Sequence, residues 1–176
     1  MAELLVCVFT GWLFMNEFNN ADVEKLSPLL VNCCGSAEWI EKILAGRPYA
    51  SVEELKAFST KTWFELSVRD WLEAFLSHPE IGDLNSLKEK FSGQEQAGVA
   101  DVSEEVLTEL RELNIEYKKK HGFVFLIFAT GKTAEEMLEA LKARINNTTE
   151  EELKNASIEH DKITLLRIDK TDWSQL

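Results

Sequence analysis

His78 is followed by Pro79 at the end of an apolar stretch, Trp71-Leu72-Glu73-Ala74-Phe75-Leu76-Ser77, with Ile81-Gly82 close behind. Proline disfavours the helical conformation in the residue before it, so a helix ending here stops at or just before His78. The imidazole then stands outside the regular hydrogen-bond ladder, as a group of a type that can give or take a proton near neutrality. The chain has only three histidines, so a titratable ring fixed in this way is scarce. Taken alone, His78 reads as a capping residue that donates to the last helical carbonyls. Any larger role depends on partners elsewhere in the chain.

Other patterns that invite chemistry fail on spacing. Gly131-Lys132-Thr133 follows an apolar run, but a phosphate-cradling loop also needs glycine at position 126, where Leu126 stands. His78, His121 and His160 are widely separated in sequence, with no pair at helical ligand spacing. Cys33-Cys34 does not resemble a zinc knuckle. No Gly-x-Ser-x-Gly elbow offers a hydrolase nucleophile. Cys33-Cys34 reads as a buried helix end. Neither a metal nor a cofactor is expected.

The 176 residues suffice for one compact domain with a sizeable core. Apolar residues make up 45 % and mean hydropathy is -0.18, values typical of globular chains. The formal charge of -12 repels phosphate backbones and no basic stripe offsets it, which argues against a nucleic-acid partner. Lys118-Lys119-Lys120 falls in the last turn of a predicted helix, where cations complement the macrodipole, and reads as a solvated helix end. Cys7, Cys33 and Cys34 cannot all pair, which favours a reducing compartment and makes the asparagine sequons at Asn146, Asn147 and Asn155 chance matches. Leu4 to Phe14 is almost wholly apolar, too short to span a membrane and without a signal-peptide basic region. Residues 1–14 are therefore expected to be either an extension of the gene model or an apolar arm that packs on the domain or a partner, with the domain running over 15–176.

Nearly every segment predicts helix. Val23, Leu26, Leu29 and Leu30 recur at helical spacing in Asn19 to Val31, with Pro28 as a dividing point. Ser36 to Leu44 follows, ended by Gly46 and Pro48. Ser51-Val52-Glu53-Glu54 has capping-box spacing, and Trp63 to Ser77 reads as two helical pieces meeting near Ser67 to Asp70. A loop-like stretch from Gly82 to Gly98 leaves room for a short helix around Leu84 to Phe91. Asp101 to Lys120 is the longest helix, with Val106, Leu110, Leu113 and Tyr117 on one face and Gly122 as its stop. Phe123 to Phe128 has strand propensity but no ladder partner, so it predicts a buried extended segment or the start of a helix. Capping boxes at Thr133/Glu136 and Thr149/Glu152 open Ala134 to Ile145 and Glu150 to about Ile168. The expected fold is all-α, a single domain of about eight helices.

Beside His78-Pro79-Glu80-Ile81-Gly82 stand three further blocks: Ser92-Gly93-Gln94-Glu95-Gln96-Ala97-Gly98, Asn114-x-x-Tyr117-x-x-Lys120-x-Gly122-Phe123-x-Phe125, and the arginine segments around Arg144 and Arg167. In this order the blocks resemble the 2-oxo-4-hydroxy-4-carboxy-5-ureidoimidazoline (OHCU) decarboxylase family. The resemblance covers roughly Glu17 to the C-terminus. Cys33-Cys34-Gly35-Ser36-x-x-Trp39, Arg47-Pro48 and Asp70-Trp71-Leu72-x-Ala74-Phe75 are especially similar to plant members. It implies that His78, Glu95 and Arg167 are catalytic and that Pro79, Ser92 and Gln96 bind substrate. Backbone groups of Phe125 and Ile127 would line the ring-binding pocket. Arg144 is typical of the family too, and is expected to be structural. His121 departs from the usual phenylalanine, with an expected effect on packing rather than chemistry.

The implied reaction is the last step of urate oxidation to (S)-allantoin, and it suits these side chains. OHCU carries its carboxylate next to a ring imine, so the substrate contains its own electron sink and needs only proton handling and orientation. His78 would act on the hydroxyl proton, Glu95 would orient its ring, and Arg167 would bind the carboxylate or the developing anion. The resemblance also implies a homodimer and a functional link to hydroxyisourate hydrolase, which plant relatives often carry as a fused domain. The competing class is a catalytically silent helical interaction module on the same fold. The pathway points to peroxisome or cytosol; Ser174-Gln175-Leu176 is only a loose relative of the Ser-Lys-Leu address.

Overall fold

A computed structural model describes residues 15–78, 103–173 and 176 of the chain. A helical stretch over 15–20 precedes α1 (Val23–Cys33), α2 (Ala37–Ala45), α3 (Val52–Glu65), α4 (Val68–Leu76), α5 (Glu104–His121), α6 (Ala134–Arg144) and α7 (Thr149–Lys170). No strand occurs among the described residues. The all-α expectation holds. The chain divides into two compact units, one drawn from Met1–Ser77 with Asp161–Leu176 and the other from His78–His160. Helix α7 contributes to both.

In the first unit α2 packs against α1, α3 and α4. Its core is built on Phe18, Leu26, Leu30, Trp39, Ile43, Leu55, Trp63, Phe75 and Trp173, all buried. Each large apolar side chain so buried contributes roughly 1.5–3 kcal/mol relative to exposure. The helices begin where short polar residues cap them. Ser36 accepts from Trp39 N–H at 3.3 Å and Ser51 from Glu54 N–H at 3.2 Å, each relieving one orphan donor of a first turn.

The predicted helix over Asn19 to Val31 is interrupted, but at a different point from the one expected. The break falls at Ala21-Asp22, where the Asp22 carbonyl accepts from Lys25 and Leu26 N–H, both at 3.0 Å. Arg47 donates to the carbonyls of Phe18 and Ala21 at 3.4 and 2.9 Å, satisfying the end of the 15–20 stretch. Pro28 sits inside an unbroken α1. The Arg47-Pro48 peptide is cis. Near it, Asn19 and Tyr49 exchange two hydrogen bonds, Nδ2 to the Tyr49 carbonyl at 2.8 Å and Tyr49 N–H to Oδ1 at 2.9 Å.

In the second unit α5 and α6 pack together. Helix α5 buries Leu107, Leu110, Asn114, Tyr117 and His121, so its inner face is turned from the expected one: Leu107 replaces Val106 and Asn114 replaces Leu113. Asn114 tolerates burial because its Nδ2 donates to the Leu110 carbonyl at 2.7 Å. Gly122 ends α5 at φ +84°, a left-handed value that glycine adopts without Cβ strain. Lys120 is not simply a solvated end, since its Nζ donates to the Ile145 carbonyl at 2.7 Å. Residues 123–128 belong to no helix or strand, with Phe123, Phe125 and Leu126 buried, so the segment does not begin a helix.

The Thr133/Glu136 capping box is present. The box that opens α7 is one residue upstream of the expected one. Thr148 and Glu151 make it, through Thr148 N–H to Glu151 Oε2 at 2.8 Å and Glu151 N–H to Thr148 Oγ1 at 3.2 Å. Glu152 is thereby free for a different task.

Candidate active site

Helix α4 delivers His78. Its first turn is tied by Asp70, whose Oδ2 accepts from Ser67 N–H at 3.0 Å and Ser67 Oγ at 2.6 Å. Its last turn is closed by Ser77, which directs both N–H (3.1 Å) and Oγ (2.7 Å) to the Ala74 carbonyl. Ser77 thus caps the end of α4. Gly35 makes room for this turn: a Cβ at position 35 would stand 2.6 Å from Ser77 Cβ. His78 follows in a bend, half-buried, and its ring meets His160 with centroids 5.0 Å apart and planes at 75°.

His160 was not singled out by its sequence. It is wholly buried on α7, in a row with Glu152, Ala156, Thr164 and Ile168 at four-residue spacing, each at most 2 % exposed. Three members of that row are polar, so a search for apolar periodicity passes over it. For His78 and His160 the separation used against a metal site is therefore one of sequence and not of space. Among the described residues no group of three or more His, Cys, Asp or Glu is arranged to hold a metal ion.

Arg167 belongs to the first unit and His78 to the second. Arg167 is half-buried rather than on a solvated face, and its Nη1 donates to the Cys33 carbonyl at 3.3 Å, at the C-terminal end of α1. Both thiols beside it are buried. Burial pushes Cys33 up, offset in part by Thr171 and by the charge of Arg167, and pushes Cys34 up to about 12. Neither is a thiolate near neutrality. Pro79, Ser92, Glu95 and Gln96 lie outside the described residues.

The segment carrying Phe125 and Ile127 is clamped from two sides. Phe128 N–H donates to Glu159 Oε2 at 2.7 Å, and Arg144 Nη1 donates to the Leu126 carbonyl at 2.9 Å while its guanidinium lies 4.6 Å from the centre of the Phe125 ring. Phe125 is buried and Ile127 half-buried.

Arg144 is itself held by Glu152, through Nε at 2.9 Å and Nη2 at 2.7 Å to Oε2. The same carboxylate accepts from Tyr117 Oη, from Asn147 Nδ2 at 2.7 Å and from Asn155 Nδ2 at 2.8 Å. Burial alone would raise the Glu152 pKa. The donors, Arg144 foremost, reverse that and hold it at about 2. Tyr117 is pushed up by burial and by the neighbouring carboxylate. Arg144 is tied into this network on both sides, and Glu152, which sequence reasoning assigned to a cap, is its centre.

His121 packs inside the second unit. It is buried, its ring lies tilted at 51° against Tyr117 with centroids 4.4 Å apart, and its Nδ1 lies 3.2 Å from Thr149 Oγ1. Burial, with the charge of Lys120, lowers its pKa. Gly131-Lys132-Thr133 serves as a turn and cap: Gly131 has φ +76°, and Thr133 caps α6.

With this geometry in view, the family model for OHCU decarboxylase matches residues 19–169. The chain belongs to the OHCU decarboxylase family. It is 43 % identical over 145 residues to the uric acid degradation bifunctional protein TTL of Arabidopsis thaliana, covering 78 % of this chain and 44 % of that protein. The chain thus spans less than half of that plant relative. It is 30 % identical over 133 residues to the 2-oxo-4-hydroxy-4-carboxy-5-ureidoimidazoline decarboxylase of Xenopus laevis, covering 72 % of this chain and 75 % of the other. A crystal structure of OHCU decarboxylase in the presence of (S)-allantoin superposes with a TM-score of 0.69 at 37 % identity, over 85 % of this chain and 97 % of that one.

Proposed function

We propose that this member of the OHCU decarboxylase family converts OHCU to (S)-allantoin. The observation that carries the proposal is the family match over 19–169, a span that contains His78, Ser92, Glu95, Gln96, Phe125, Ile127 and Arg167. The presence of (S)-allantoin with the crystallised relative adds support, since that compound is the reaction's product. His78 takes the hydroxyl proton, and Glu95 orients its ring. The bond to the carboxylate carbon breaks, carbon dioxide leaves, and the electron pair passes into the ring imine. Protonation of the resulting enol-like intermediate gives (S)-allantoin. The guanidinium of Arg167 binds the anionic group through its planar fork, and Pro79, Ser92, Gln96 and the backbone at Phe125 and Ile127 seat the ring.

We also infer a homodimer, and a supply of substrate from hydroxyisourate hydrolase. The bifunctional character of the plant relative supports that link. Peroxisome or cytosol is the corresponding location.

The test generates the substrate in situ from urate with urate oxidase and hydroxyisourate hydrolase and follows circular dichroism. Protein-dependent acceleration of an (S)-allantoin signal is the expected result. Slow racemic product, equal with and without the protein, would instead identify a silent helical module.

A further inference from the structure

We propose that His160 is a positioning residue for His78, its imidazole holding the His78 ring in one orientation by an edge-to-face contact. The proposal rests on the decarboxylase reading, in which His78 handles the substrate's proton. The contact has centroids 5.0 Å apart and planes at 75°, inside the range that aromatic quadrupoles favour.

The two histidines differ in how they are supported. His78 stands in a bend two residues beyond the end of α4, so α4's backbone ladder does not orient its side chain. His160 is wholly buried within α7, and polar bonds at neighbouring positions fix that helix about its axis. Asn155 donates to Glu152, and Glu159, the residue before His160, accepts the N–H of Phe128 at 2.7 Å. A ring wholly buried on that helix has little room to turn. It offers His78 a fixed surface, and Glu159 ties the Phe125–Phe128 segment to the same turn of α7. A proton-transferring ring must be aimed as well as present, because small misplacement of a reacting group costs rate rather than binding.

The test combines ring NMR of the ligand-free chain with steady-state kinetics on His160→Ala and His160→Phe, using His78→Gln to assign the His78 signals. In His160→Ala the His78 ring resonances are expected to move, with kcat about three- to tenfold lower and KM within about twofold. His160→Phe, which keeps an aromatic surface, restores kcat to within about twofold of the unaltered chain. Unmoved His78 resonances in His160→Ala overturn the proposal, as does a loss of kcat that His160→Phe shares in full. If His160→Ala fails to fold, His160→Gln takes its place: kcat lost in Gln and kept in Phe supports positioning, and the reverse overturns it. An unaltered chain without turnover, with the ring shift intact, sinks the decarboxylase reading while leaving the ring contact supported.

Discussion

Glu152 and His160 stand in the same buried row of α7, yet the structure uses them differently. Glu152 is surrounded by donors from Arg144, Tyr117, Asn147 and Asn155, which complete its hydrogen-bonding capacity and hold it ionised, with its pKa at about 2. A carboxylate so held has no proton to exchange near neutrality, and its work is to fix Arg144 and, through it, the Leu126 carbonyl. His160 instead meets a second imidazole, a side-chain type whose charge changes near neutral pH. About two turns of α7 separate a strut from a positioning surface. The lesson is that burial alone does not mark a functional residue; the partners decide.

The largest expected effect breaks the functional side of the comparison. His78→Asn should lower turnover by about 10²–10⁴-fold while unfolding free energy changes little. Near-normal turnover by that variant would remove His78 from the reaction. The structural side breaks with Glu152→Gln, which leaves the half-buried guanidinium of Arg144 without its counter-charge. A loss of about 3–5 kcal/mol in chemical denaturation is expected.

The unaltered chain gives the same contrast through pH. The folded pKa of Glu152 lies below the ordinary 4.5, so its contribution is complete above that value and is lost as pH falls towards about 2. Denaturation midpoints should therefore drop across that window in the unaltered chain and much less in Glu152→Gln.

Gly35→Ala sharpens the account of how α4 ends. A methyl 2.6 Å from Ser77 Cβ forces the Ser77 turn or the Gly35 backbone to shift. The expected cost is about 1–3 kcal/mol in thermal or chemical unfolding. The smallest effect belongs to His121→Phe, which exchanges the contact with Thr149 for an apolar ring and should change stability by less than about 1 kcal/mol at neutral pH. Because burial lowers the His121 pKa, the unaltered chain loses stability as pH falls below the ordinary histidine value of 6.5. The variant should gain relative to it in that direction, and a constant difference between pH 8 and 5 would contradict this.

Most helix boundaries were legible because they depend on local chemistry. Ser51 and Thr133 cap where their spacing predicts, α2 begins at Ser36 as its pattern has it, Ser67 and Asp70 divide α3 from α4, and Gly122 stops α5 in the left-handed conformation. Errors arose where two local solutions were nearly equivalent. Thr148/Glu151 and Thr149/Glu152 offer the same box one residue apart, and the burial of Glu152 with Arg144 selects the first. Val106 and Leu107 are both apolar and adjacent, and packing against α6 determines which faces inward.

The candidate site was legible in part. The block order around His78 and Arg167 carries the family resemblance, whereas His160, Glu159 and Glu152 carry no comparable signal. They are polar residues on a helix, where the default reading is solvent exposure.

The amino-acid sequence by itself determined the helical class, the caps and stops, and the family, since these depend on residue types at short spacing. Only the tertiary structure decided that α7 buries a polar row and that His160 meets His78. Those choices follow from partners brought together across 35 residues for Tyr117 and Glu152, and from a bend to a distant helix for the two imidazoles. A buried polar group is stable only when its partners arrive, and no local pattern records where they come from.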